Sequence, residues 1–266
     1  MITSKIELHL HLDGSLDLSW AYERAKKRGV IASDTSFEEY YDSWYRKYPT
    51  REEGFKKFDI PIDIMQTKED LHDVAYNMVK TLAEEELFYA EIRLASQQHT
   101  QLGLSQLEVL EATSQGVKDA MEVYKGIQVN ILNCLMHKGE NALVNRKENE
   151  EAIEATYQML GKGVVGLDLA GFENNGDFML YAPLFEKAKK LGIPYTIHAG
   201  EMGMGEHVPM AIAMGASRIG HGIDCVKHPL WLQEVVDTQI PLEVCVGSNV
   251  KDERNYAAHP VRQLLK

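Results

Sequence analysis

Short apolar, β-branched runs recur along the chain at Ile6–Leu12, Tyr89–Ala95, Ile127–Met136, Val164–Gly171, Tyr195–Glu201, Arg218–Ile223 and Leu242–Ser248. Each has the length of a strand. Most are separated by stretches with apolar residues at helical spacing, namely Lys68–Glu86, Leu104–Tyr124, Glu148–Leu160, Tyr181–Leu191 and Val208–Met214. Leu191-Gly192-Ile193-Pro194 and Met214-Gly215-Ala216 read as helix stops that lead into a strand. Strands alternating with crossover helices predict an α/β fold with a parallel sheet. The pattern suits a TIM-type (β/α) barrel with seven of its eight strands identifiable, and 1–266 reads as one domain.

Two stretches break the rhythm. Asp34–Met65 is rich in aromatic and charged residues and falls between the first and second strands. It is long for a crossover, so we expect a helical insertion, a candidate lid over a pocket. At the other end, His259–Lys266 opens another crossover helix with Pro260 in its first turn, and no strand follows. Seven parallel strands leave open edges on the first and seventh. The expectation is therefore a C-terminally incomplete barrel, truncated, cleaved, or completed by a second chain that supplies the missing strand.

Composition narrows the function classes. A hydrophobic share of 44% is ample for a core. With 40 acidic against 28 basic residues the formal charge is -12, which repels a phosphate backbone and argues against nucleic acid as a partner. No run approaches the ~20 apolar residues of a membrane span, and the first residues lack the pattern of a secretory signal. Cys134, Cys225 and Cys245 form no CxxC pair and lie in or beside apolar runs, so buried, reduced thiols are expected. A cytoplasmic protein fits these features.

The candidate chemistry gathers at strand ends. His9 and His11 are two apart in the first run, so on a strand both rings project from one face. His198 and Glu201 close the fifth run, and His221 closes the sixth. Barrel enzymes build their sites on that rim from several strands. Three neutral imidazoles can hold one zinc and leave a position open for water. A lone HxH could equally be a satisfied core pair; recurrence at equivalent strand ends is what favours a site. His72, His99, His137, His207, His228 and His259 have no such setting and are assigned to surface or packing roles. Gly161–Gly166 matches GxGxxG but precedes a strand, the reverse of a dinucleotide fold. Ser15 and Ser248 lack a nucleophile elbow, and the HxE…PCxxC signature of cytidine-type deaminases is missing.

Together these residues resemble the adenosine deaminase family of metal-dependent hydrolases. Lys5–Gly14 is similar to its opening strand, and Val165–Gly171, His198–Glu201 and Arg218–Gly222 to its later signatures. Leu242–Cys245 followed by Ser248-Asn249 resembles its seventh strand, although Val246-Gly247 replaces a usual proline. The resemblance implies one zinc per chain, held by His9, His11 and His198. It implies Glu201 as the acid that protonates a purine ring nitrogen, and His221 as the residue that assists the attacking water. Asp13, Gly171 and His11 would contact the nucleoside, and Phe58 would be an apolar lid residue. The family's eighth strand ends in adjacent aspartates that the 266 residues do not contain. The implied reaction is hydrolytic deamination of a purine nucleoside, adenosine before adenine. A catalytically impaired barrel that binds a nucleoside or a protein, and a deaminase of adenine or N6-substituted purines, stay open, as does the oligomeric state.

Overall fold

The computed structural model describes residues 5–44, 51–138, 143–173, 177–250 and 256–266. Strand follows helix as the pattern predicts: β1 Lys5–His11, β2 Leu87–Leu94, β3 Gln128–His137, β4 Val164–Gly171, β5 Thr196–Ala199, β6 Arg218–His221 and β7 Leu242–Glu243. One sheet has the order β1-β2-β3-β4 and another the order β5-β6-β7. The ladders β1–β2, β2–β3, β5–β6 and β6–β7 are all parallel, so the carboxyl ends of β1, β2 and β3 share one side, as do those of β5, β6 and β7. The chain gathers into two compact units, Met1–Asn133 with Gln158–Val165, and Cys134–Tyr157 with Gly166–Lys266.

In the first unit the Lys68–Glu84 helix buries Leu71, Val74, Ala75, Met78, Val79 and Leu82, an apolar stripe of helical period. Thr67 caps its start by accepting the Asp70 N–H. The Gln106–Val123 helix begins in a capping box between Ser105 and Glu108. The two helices pack closely where Gly116 meets the backbone of His72. A Cβ at Gly116 would overlap the His72 carbonyl oxygen. Alanine should gain about 1 kcal/mol in helix propensity, but overpacking costs about 1–3 kcal/mol or more. Gly116→Ala is therefore expected to lower stability, as a reduced urea midpoint with an unchanged slope. A midpoint at or above the parent's would show that the helices can separate at little cost.

Between β1 and β2, helices at Phe37–Trp44, Arg51–Gly54 and Asp59–Ile64 bear out the expected insertion; its residues 45–50 lie outside the described part. Two helices escape the sequence reading. Leu18–Arg28 has an Asp17 cap and a left-handed Gly29 at its end, and Pro229–Thr238 has its proline at the first turn. The last strand is a correction: only Leu242–Glu243 pair with β6, and Val246–Asn249 turn into a helix instead. Gly247, Ser248 and Asn249 favour a turn, and the Asn249 N–H bonds back to the Cys245 carbonyl. The Gly161–Gly163 segment is a tight turn into β4, with left-handed φ at both glycines. Cys134 and Cys225 are buried and Cys245 half-buried, all as free thiols.

Candidate active site

In the first unit, β1 carries His9 and His11 at its carboxyl end, with ring centroids 5.4 Å apart. The ladder to β2 slips between Glu7 and Leu10, a bulge beneath the two histidines. The buried Arg93 guanidinium donates to the Leu8 carbonyl within that bulge. Asp13 follows in a 3-10 turn and is buried. Burial pushes its carboxyl up to about 6, against the pull of the Asp13 and Gly14 backbone N–H groups. Its Oδ1 has no hydrogen-bond partner among the described residues, so it is an acceptor available to a ligand. Phe58 lies over Gly14, close enough that a Cβ there would stand 2.9 Å from the ring. Gly14 and Phe58, with Leu16, Leu18, Trp44 and Lys57, line a cavity of about 320 Å³.

In the second unit, β5 and β6 bring His198 and His221 together, ring centroids 5.2 Å apart. Gly220 makes this possible, since a Cβ there would press on His198 at 3.1 Å. Asp168, fully buried on β4, lies 2.9 Å from His198 Nδ1. That contact fixes the ring and leaves Nε2 for a metal, the carboxylate–histidine arrangement of metal sites. Glu201 stands in the turn after β5, its Oε2 3.7 Å from His221 Nε2.

His221 adopts a left-handed φ of 62°, a strained conformation for a residue with a side chain and one that clusters at functional sites. Its orientation comes from the chain that follows. The Val261 N–H donates to His259 Nδ1 at 3.1 Å, which leaves the proton on Nε2 facing Asn249 Oδ1 at 3.4 Å. Asn249 Nδ2 in turn donates to His221 Nδ1 at 3.0 Å. This order of donors puts the proton of a neutral His221 on Nε2, toward Glu201.

Gly171 ends β4 with φ 111°, and a Cβ there would lie 2.6 Å from the His137 carbonyl oxygen. Only glycine fits. Gly171→Ala is expected to cost roughly 1–3 kcal/mol from the backbone conformation alone, visible as a lower melting temperature; equal melting would contradict the geometry.

The sequence profile of the adenosine deaminase family matches residues 4–266, nearly the whole chain. The chain belongs to the adenosine deaminase family. Adenosine deaminase from Haemophilus ducreyi is 36% identical, over 98% of this chain and 76% of its own length. The Clostridium perfringens enzyme of the same name is 35% identical, over 98% and 79%. Among solved structures, adenine deaminase from Arthrobacter aurescens is similar with a TM-score of 0.81 and 25% identity, over 98% of this chain and 78% of that one. The N6-methyl-AMP deaminase of Arabidopsis thaliana gives 0.83 and 26%, over 98% and 77%. This family member is thus a hydrolase of the deaminase kind, with the parallel α/β barrel-type fold that strand–helix alternation predicts.

Each unit brings together the expected residues that fall within it: His9, His11, Asp13 and Phe58 in one, Gly171, His198, Glu201 and His221 in the other. Asp168, Asn249 and His259 orient the two histidines of the second unit; the sequence suggests no such role for Asp168 or Asn249 and only a surface or packing role for His259. Nor does it single out Glu173. That carboxylate is buried and accepts bonds from three successive backbone N–H groups and from His207.

Proposed function

We propose that this chain catalyses hydrolytic deamination of a purine nucleoside, adenosine to inosine and ammonia. The observation that carries the reading is 35–36% identity to adenosine deaminases over 98% of the chain. Identity to the adenine and N6-methyl-AMP deaminases is lower, at 25% and 26%. The Asp168-Leu169-Ala170-Gly171 run resembles the nucleoside enzymes, which also favours adenosine.

His9, His11 and His198 would hold one zinc ion. Their chemistry fits: three imidazoles suit zinc, and His198 has its Nδ1 already committed to Asp168. When bound, zinc supplies Lewis-acid activation of water, lowering its pKa towards ~7. Glu201 delivers a proton to a ring nitrogen, which draws electrons from the carbon bearing the amino group and opens it to attack. His221, with its Nε2 proton, holds and orients the attacking water. The free Oδ1 of Asp13 and the backbone at Gly171 hydrogen-bond the nucleoside, and Phe58 covers it from solvent. The partner is a small molecule: the charge of -12 disfavours nucleic acid, and among the described residues no helix is long and apolar enough to cross a membrane. The free thiols suit a reducing cytoplasm.

A substrate panel tests the choice. Adenosine should exceed adenine, N6-methyladenosine and AMP in kcat/KM, each followed by ultraviolet absorbance. A higher value for any of the others would replace adenosine as the substrate.

A further inference from the structure

Four consecutive backbone N–H groups follow β5, and each ends on a buried carboxylate. Glu173 Oε1 accepts from Gly200 at 2.8 Å, and its Oε2 accepts from Glu201 at 2.9 Å and Met202 at 3.1 Å. Asp224 Oδ2 takes the next, from Gly203, at 2.5 Å. Successive N–H groups turned to one side form a concavity that binds anions; here the anion is the protein's own side chain.

Glu173 is itself held from behind. His207 Nδ1 is 2.9 Å from Glu173 Oε1, and its ring lies flat on Phe178, with centroids 4.3 Å apart and planes 7° apart. Burial alone would raise the Glu173 carboxyl; the His207 bond and the three N–H groups outweigh it and keep it below its ordinary range. The carboxylate therefore stays charged and fully engaged, with all four bonds made.

Resting on the reading of Glu201 as the proton donor, we propose that Glu173, braced by His207, is a positioning residue. It pins the Gly200–Met202 turn and so sets where Glu201 meets the substrate. A helper that grips the backbone on both sides of the donor acts on its placement, and a displacement of ~1 Å can cost ~100-fold in rate. Glutamine at 173 keeps the volume but offers one acceptor oxygen. It can satisfy the Gly200 and His207 donors or the Glu201 and Met202 donors, not both.

The test compares Glu173→Gln, His207→Asn and His207→Leu with the parent chain. Glu173→Gln should lower kcat for adenosine about 10- to 100-fold, with KM and zinc content unchanged within about twofold. Amide hydrogen exchange should accelerate at residues 200–202 and stay as in the parent elsewhere. His207→Asn puts a side-chain N–H near the place of Nδ1 and should keep most of kcat, whereas His207→Leu should lose it. Parental kcat in Glu173→Gln, a KM effect alone, or equal kcat in the two His207 variants would overturn the proposal. If Glu173→Gln fails to fold, the His207 pair decides. If the parent chain does not deaminate adenosine, the reading of Glu201 falls, and exchange judges the anchor separately: unchanged protection at 200–202 rejects it, lost protection upholds it.

Discussion

Replacing Glu201 with glutamine is expected to leave the metal in place and lower kcat for adenosine by ~10²- to 10⁴-fold, the range of a lost general acid. Glutamine has nearly the same volume, so the site keeps its shape. The turn should also keep its place, because Glu173 holds it through backbone N–H groups that the substitution does not touch. The 3.7 Å separation from His221 exceeds a hydrogen bond, so the imidazole does not depend on the carboxyl for its orientation; Asn249 supplies that. What disappears is a proton the side chain can give. Steady-state absorbance at pH 7, with zinc content on the same sample, checks the outcome. Unchanged turnover would remove Glu201 from the chemistry.

The second large effect concerns the metal. His198→Ala should strip zinc and bring deamination down to background, because it deletes a ligand outright. Asp168→Asn should act more gently, weakening zinc affinity about 10- to 100-fold. Asparagine can still accept from His198 Nδ1 and keep the tautomer, but it no longer carries the charge that raises the basicity of the ring. Asp168 is fully buried, with Cys134 Sγ 3.8 Å from its Oδ2, so solvent does not screen that charge. Competition with a chelator of known affinity measures both variants. Parental affinity in Asp168→Asn would show that the carboxylate only packs.

What was legible in the sequence follows what each signal depends on. The strand and helix cores depend on periodicity, and Val164–Gly171 and Lys68–Glu84 emerged within a few residues of their observed bounds. β7 is shorter than the Leu242–Ser248 run suggests: Cys245 and Val246 continue the apolar run, whereas the backbone turns at Gly247-Ser248-Asn249. Leu18–Arg28 escapes although Asp17 and Gly29 mark both ends; its residues are mostly polar or charged, and the side chains it buries are Ala21, Arg24 and Ala25 rather than a run of large apolar ones. Within the candidate site, residues with strong chemical identity at strand ends stood out, His9, His11, His198 and His221 among them.

Their supports did not stand out. Asp168 lies in the Val165–Gly171 run, but nothing in one sequence says which histidine its carboxylate will meet. Asn249 and His259 act through contacts with residues 28 and 10 positions away. Glu173 lies 27 residues before the first N–H it receives. Such partners are fixed by tertiary proximity, which periodicity does not encode. Strained backbone is similarly silent in sequence: no pattern distinguishes His221, with its positive φ, from a histidine in an ordinary strand.

The most direct test of the central claim is the conversion of adenosine by the zinc-loaded chain, followed by absorbance and by ammonia release. We expect inosine and ammonia in equal amounts, abolition of the activity when zinc is removed, and its return when zinc is restored. A folded chain that carries zinc and leaves adenosine unchanged would contradict the account.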